Sequence, residues 1–272
     1  MPKIAVLQMN SGIDPEANLA AIAEALARAK DAEAEILFTP EMSLLLDRDR
    51  TRAKSVIESS KSRSWPHRLG TLVGDQRGIW LALGSYPAEG ADGRWRNRSI
   101  VISPPGEEYA TYDKMHMFDV DLEGGERWRE SSAYAAGDEL VVVEDTPLGT
   151  LGLTICYDMR FPALFDALGK AKCNAIAVPA AFTKTTGEAH WHVLLRARAI
   201  EASAFVIAAA QTGKHEDGRE TYGHSLVVDP WGEVLLDMGE EPGLAFCDID
   251  LDRIAEVRAQ VPSLANRREI PN

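Results

Sequence analysis

Three side chains of this chain have the types that thiol catalysis requires: Cys156, Glu41 and Lys114. Cys156 sits in Leu153-Thr154-Ile155-Cys156-Tyr157-Asp158-Met159-Arg160-Phe161-Pro162, where an apolar, β-branched run meets a polar, helix-competent one. That order reads as strand, sharp turn, helix, with the thiol at the positive end of the helix dipole. A free thiol has a pKa of about 8.5, so it is only a few per cent ionised at neutral pH. A working nucleophile therefore needs a base and a counter-charge. A buried packing cysteine reads the same way locally.

Glu41 supplies a candidate base. It follows Glu35-Ile36-Leu37-Phe38 in Phe38-Thr39-Pro40-Glu41-Met42-Ser43, just past the C-terminal end of an expected strand, the edge where α/β sheets place their sites. Lys114 supplies a candidate cation. It lies in Tyr112-Asp113-Lys114-Met115-His116-Met117-Phe118-Asp119, where apolar neighbours favour partial desolvation and its ammonium could face an oxyanion. Taken singly, a strand-end Glu is more often a cap, and a Lys among Met and Phe more often snorkels.

The elements that must bring these residues together alternate along the chain. Strands are expected at residues 3–9, 35–39, 79–85, 98–103, 108–112, 140–144, 148–155, 175–178, 204–210, 224–229, 233–237 and 244–249. Asp14-Pro15 opens a helix as N-cap and N1, with Leu19, Ile22, Ala25, Leu26 and Ala29 on its apolar face. Residues 52–76, 161–171 and 188–202 read as helical, and a last helix starts near Asp250. Residues 121–138 are polar, contain Gly124-Gly125 and have no period, so a loop is expected there. Pro230-Trp231-Gly232 marks a hairpin turn. No low-complexity linker or internal repeat divides the chain. One α/β domain over 1–272 is therefore expected, with an irregular tail after about 262.

Bulk properties narrow the function. The 272 residues are 45% hydrophobic, enough for a large core, and no run of eighteen apolar residues marks a membrane span. The start, Met1-Pro2-Lys3-Ile4, runs directly into a strand and leaves no room for a signal peptide. A net charge of −13 argues against a nucleic-acid partner and favours solubility. Cys156, Cys173 and Cys247 cannot all pair and show no CxxC spacing, which fits a reducing cytoplasm. Of the six histidines, His190 and His192 are two apart on a helix and point to different faces. No metal and no cofactor are expected, and His190 and His224 read as structural.

In the order Glu41, Lys114, Cys156, these segments resemble the nitrilase superfamily of carbon–nitrogen hydrolases, whose members use such a trio as base, cation and nucleophile. The resemblance spans nearly the whole chain, from Lys3-Ile4-Ala5-Val6-Leu7-Gln8-Met9 to Ile249-Asp250. Ala189-His190-Trp191-His192 through Ile200-Glu201, and Tyr222-Gly223-His224-Ser225 through Trp231-Gly232, resemble the Nit branch of deaminated glutathione amidases and omega-amidases. Ala208-Ala209-Ala210-Gln211 with Gly213 and His215 is closer to the former.

The resemblance implies a four-layer αββα sandwich of two mixed sheets with helices outside, and a homodimer. It implies attack of Cys156 on a linear, non-peptide amide, a thioester, and release of ammonia and a carboxylic acid. The backbone N–H of Tyr157 would join Lys114 on the oxyanion. It points to Glu130 as a second carboxylate, with Glu123 and Glu126 in the same loop as alternatives. It also points to Arg160, Phe182 and Thr186 for substrate binding, Arg160 reading equally as a structural ion pair. Asp113 and Thr39 depart from the branch, which more often has a basic residue and leucine there. The implied substrate is an ω-amide such as deaminated glutathione, with short α-keto acid amides second and nitriles behind. A non-catalytic binding protein on the same fold is the alternative of another class. The complete trio argues against it.

Overall fold

Strand alternation explains the layering. In the strand Lys3–Gln8, Ile4 and Val6 belong to one buried core while Ala5 and Leu7 belong to another. The same split separates Ile36 and Phe38 from Leu37, Ala82 from Leu81 and Leu83, and Val101 from Ile100 and Ile102. Successive side chains of a strand point to opposite faces, so strands that are apolar on both faces must be covered on both. One face meets a second sheet and the other meets the helices Pro15–Asp31 and Trp65–Gln76. The outer face of the second sheet is covered by Leu164, Phe165 and Leu168 of the helix Pro162–Lys170, and by Trp191, Leu195 and Ala199 of the helix Lys184–Ala202. The result is an αββα sandwich. The structure is a computed structural model and describes residues 1–121 and 127–268, apart from the side chains of residues 60 and 61.

The first sheet runs, in spatial order, Gly243–Asp248, Lys3–Gln8, Ile36–Phe38, Trp80–Glu89, Trp95–Ile102 and Glu108–Asp113. Its second to fourth strands are mutually parallel and the outer pairings antiparallel. The second sheet runs Val234–Asp237, Leu226–Val228, Phe205–Ala208, Ala175–Ala177, Gly149–Leu153 and Val142–Thr146, again with a parallel trio inside. Both sheets are mixed. Glu41 and Cys156 each follow the C-terminal end of one of these parallel strands. Bridges Met9↔Gln211 and Ala180↔Ala210 extend the strand ends toward the same region.

Local chemistry accounts for the boundaries. The Asp14 carboxylate accepts the Glu16 N–H at 3.0 Å, capping the first helix as its sequence requires, and all five residues of the expected apolar face are buried. The expected helix over 52–76 is instead three, Arg50–Ile57, Ser60–Arg63 and Trp65–Gln76. Pro66 has no N–H to continue a helix from the preceding turn, so a new one starts around it. The loop expected over 121–138 contains a short ribbon, Asp119–Asp121 paired with Arg127–Arg129, followed by a 3₁₀ turn at Glu130–Ser132. Glu123, Gly124, Gly125 and Glu126 lie outside the described residues. A second ribbon, Thr212–Lys214 with Glu220–Tyr222, has strands too short for periodicity to reveal. The helix expected over 188–202 begins one turn earlier, at Lys184.

Candidate active site

The chain reverses sharply at Cys156. Ile155 is extended, Cys156 has φ +47°, and a 3₁₀ turn runs Cys156–Arg160 before the helix starts at Pro162. A left-handed conformation is unfavourable for a side chain with a Cβ, so the surroundings must hold it. The Cys156 N–H donates to Pro179 O at 2.8 Å. Asp158, fully buried, takes the Ile155 N–H at 2.9 Å and the Tyr112 hydroxyl at 2.7 Å on one oxygen. Its other oxygen takes the His116 N–H at 3.0 Å and lies 2.7 Å from His116 Nδ1. One carboxylate thus ties the thiol's turn to the segments on both sides of Lys114. The His116 ring stacks on Phe161 at 3.6 Å.

Glu41 is held from three directions. Its Oε1 accepts from Lys114 Nζ and from Asn97 Nδ2, both at 2.9 Å, and its Oε2 accepts the Ala181 N–H at 2.8 Å. The Cys156 thiol lies beside the same carboxylate in one cavity and interacts with it. The turn carrying Glu41 is fixed by Thr39, whose hydroxyl oxygen accepts the Gly84 N–H and the Ser43 hydroxyl. A Cβ on Gly84 would collide with the carbonyls of Thr39 and Pro40 and with the Pro179 ring, so the close approach requires glycine. Thr39 therefore serves loop packing.

Lys114 is 2% exposed. Its ammonium has three N–H donors. They face Glu41 Oε1 at 2.9 Å and the two oxygens of Glu130 at 3.1 and 2.9 Å. Glu130 also accepts the Phe118 N–H at 2.7 Å. Among the described residues Glu130 is the loop carboxylate that meets Lys114, while Glu123 and Glu126 lie outside them. Asp113 pairs with Arg98 at 2.7 and 2.8 Å and takes no part in this network.

Asn97 was not singled out by its sequence context. It is fully buried and donates one amide to both carboxylates, Glu41 at 2.9 Å and Glu130 at 3.1 Å. Its Oδ1 is buried without a partner among the described residues. The amide cannot turn round, because its oxygen would then face two carboxylates. A buried orphan acceptor costs about 1–3 kcal/mol, which the network must offset.

The electrostatics locate the resting proton. Burial pushes the Glu41 carboxyl up, but the Lys114 charge, with hydrogen bonds from Lys114, Cys156 and Ala181, outweighs it and holds the group below its usual range. Burial, then the Glu41 charge, pushes the Cys156 thiol well above its usual range, against the opposing effect of Lys114. The thiol expected to be acidified by a helix dipole is thus held neutral. The physical reason is that burial and the Glu41 charge dominate, while the α-helix proper begins only at Pro162. Burial would lower Lys114, but Glu130 and Glu41 keep it charged.

Glu41, Lys114, Glu130 and Cys156 line one cavity of about 230 Å³. Tyr157, Phe182 and Thr186 also line it. Arg160 does not. Its guanidinium lies 5.1 Å from the Phe182 ring centre and 5.9 Å from that of Tyr157, and 3.3 Å from His190 Nδ1. Its charged head thus stacks on two residues of the cavity wall. Trp128, Tyr134 and several arginines also line the cavity, and no sequence motif marked them.

His192, His224 and Asp237 converge, with His192 Nε2 3.0 Å and His224 Nδ1 2.9 Å from the Asp237 carboxylate. Sequence spacing gave no sign of this group. Residues far apart in sequence meet there, which spacing cannot reveal.

The arrangement can deprotonate a thiol beside a fixed cation. Comparisons with known proteins agree with that chemistry. The carbon-nitrogen hydrolase family model matches residues 3–259. A deaminated glutathione amidase of Bos taurus is 39% identical over 274 residues, covering 98% of this chain and 82% of that protein. The crystal structure of the C. elegans NitFhit protein superposes with a TM-score of 0.91 at 37% identity, over 98% of this chain and 65% of that one. A mutant of the amidase from Nesterenkonia sp. AN1, with acrylamide added at its active-site cysteine, has a TM-score of 0.81 at 26% identity, over 96% of this chain and 98% of that one.

Proposed function

This chain belongs to the carbon–nitrogen hydrolase family, and from that premise we propose an amidase in which Cys156 forms a thioester with the acyl part of a small amide. One observation carries the reading: the Cys156 thiol and the Lys114 ammonium meet on the same buried Glu41 carboxylate.

In the first half-reaction Glu41 takes the thiol proton as sulfur bonds to the amide carbon, and the carbonyl electron pair moves onto oxygen. Base catalysis of this kind is worth roughly a hundred- to ten-thousandfold. Lys114 and the backbone N–H of Tyr157 face that oxyanion, each such donor worth about a hundred- to a thousandfold. Glu41 then passes its proton to the nitrogen, the C–N bond breaks and the amine leaves. In the second half, water gives a proton to Glu41 and attacks the thioester. The C–S bond breaks, the acid departs and the proton returns to sulfur. Glu130 keeps Lys114 charged and aimed. Phe182, Thr186 and Tyr157 form the substrate wall. Arg160 reaches substrate only if its guanidinium leaves the Phe182 face.

The proposed substrate is deaminated glutathione, the compound named for the bovine relative. Glutathione is γ-glutamyl-cysteinyl-glycine, so cleavage at the γ-amide of its deaminated form releases cysteinylglycine. The ω-amide of a short α-keto acid would release ammonia instead.

We also propose that the chain is one domain and forms a homodimer through the helix Lys184–Ala202, where Val193 is 68% and Ile200 49% exposed. A light-scattering mass of a single chain at micromolar concentration would refute the dimer. A reducing cytoplasm suits three free cysteines, one of them the nucleophile. Among the described residues no helix is long and apolar enough to cross a membrane.

The deciding experiment is intact-mass spectrometry after rapid mixing with deaminated glutathione. An acyl adduct on Cys156, with cysteinylglycine in solution, is the expected result. Identical behaviour of the wild type and Cys156→Ala on a broad amide panel would establish a non-catalytic protein. Ammonia from α-keto acid amides at much higher kcat/KM would make it an omega-amidase.

A further inference from the structure

The wall of the cavity gathers arginines in an acidic chain. Arg48, Arg50, Arg127, Arg129 and Arg219 line it together with Glu220, which pairs with Lys184, in a protein of net charge −13. Three of these arginines have acidic partners: Arg127 and Arg129 share the single charge of Asp121, and Arg219 pairs with Asp217. Arg50 donates to Ser132 Oγ and to the Arg129 carbonyl, which carry no charge. Among the described residues no carboxylate lies within ion-pair distance of the Arg48 guanidinium, which sits 5.7 Å from the centre of the Trp128 ring. The Arg219 guanidinium lies 5.2 Å from the same ring.

Trp128 adds an independent observation. Its Nε1–H is buried and has no acceptor among the described residues. Water cannot solvate a buried donor, so leaving it unmade is unfavourable unless something else accepts from it. An indole donor beside an uncompensated guanidinium offers two differently placed N–H groups, which suits the two oxygens of a carboxylate. Packing alone would explain the ring between two arginines, as stacking is common for Arg. It would not explain an orphan donor on a cavity wall.

Resting on the amidase reading, we propose that Arg48 and the Trp128 N–H form a subsite for a substrate carboxylate remote from the scissile carbon, with Arg50 adding to the field. The subsite selects anionic amides over neutral ones of the same shape and acts on binding, apart from the bond-breaking groups.

The test compares deaminated glutathione with two analogues. One has the glycine carboxylate, and the other the acyl-side carboxylate, replaced by a carboxamide of the same shape. The wild type prefers the parent compound to at least one analogue. In Arg48→Gln and in Trp128→Phe, which keeps the ring but removes the donor, that preference falls about tenfold to a hundredfold, the worth of a charge-assisted hydrogen bond. Arg48→Lys restores part of it. Preferences unchanged in both variants overturn the proposal. Calorimetry with deaminated glutathione and Cys156→Ala protein reads the subsite without turnover. Binding weakened about tenfold by adding Arg48→Gln supports the subsite even if no amide is hydrolysed, and equal binding overturns it.

Discussion

Both carboxylate oxygens of Glu130 lie within 3.1 Å of the Lys114 ammonium. Lys114 therefore has more negative charge around it than it can neutralise, since Glu41 shares the same nitrogen. Glu130→Gln removes one charge and half of this grip. The expected result is a fall in kcat of about tenfold to a hundredfold with little change in KM, because the ammonium acts on the oxyanion and not on the bound amide. Steady-state kinetics check it. A change confined to KM would make Glu130 a binding residue.

Asn97 tests whether the two carboxylates are a unit. Asn97→Asp places a third carboxylate against Glu41 and Glu130 in a buried site. Like charges disfavour ionisation, so Glu41 would stay protonated to higher pH. The acid limb of the kcat/KM profile is expected to move up by about one pH unit or more, with activity at neutral pH reduced at least tenfold. An unmoved limb would mean that the amide serves packing alone.

The wild-type profile follows from the same pKa directions. Glu41 is held below its ordinary 4.5, so the base is available throughout the neutral range and is lost only as pH falls through that depressed value. The acid limb of kcat/KM is expected below 4.5, unless unfolding intervenes first. Glu41→Gln removes the limb and slows acylation roughly a hundred- to ten-thousandfold. Stopped-flow mass measurement of the acyl adduct reports both.

Alkaline stability has a separate origin. Burial raises Cys173 from 9.0 to about 11, so the folded protein keeps a proton that the unfolded chain loses. That contribution is complete below pH 9.0 and disappears between 9.0 and about 11. The urea midpoint is expected to fall over this window by the equivalent of roughly 2 kcal/mol, and Cys173→Ala to flatten the slope while lowering the plateau. An identical slope in the variant would assign the loss to other groups.

Asp158 is the residue whose loss should unfold most. It accepts three hydrogen bonds and lies against His116 Nδ1 while fully buried. Asp158→Asn leaves a donor facing donors, at a cost of about 3 kcal/mol. Scanning calorimetry would register a drop in Tm on the order of 6–12 °C.

The sequence made some of this legible and concealed the rest for physical reasons. Asp14-Pro15 is a local signal, because a cap and a fixed φ act within one turn, and the helix begins where they stand. Glu41, Lys114 and Cys156 were legible because charged or nucleophilic residues at strand ends are few. Asn97 was hidden, since a polar residue among Arg96, Arg98 and Ser99 reads as the solvent side of a strand. Only the tertiary fold turns it toward two carboxylates. His192, His224 and Asp237 come from a helix, the approach to a strand and a strand end, so no spacing joins them. The direction of the Cys156 shift was missed because the strand–turn–helix pattern does not reveal that a 3₁₀ turn precedes the helix.

The proton parked on sulfur has a chemical corollary for the idle protein. Peroxides and disulfides react with the anion of cysteine, and in Cys156 that form is suppressed until an electrophilic carbon arrives beside Glu41. Oxidative damage and mixed-disulfide capture are thereby disfavoured in the resting protein.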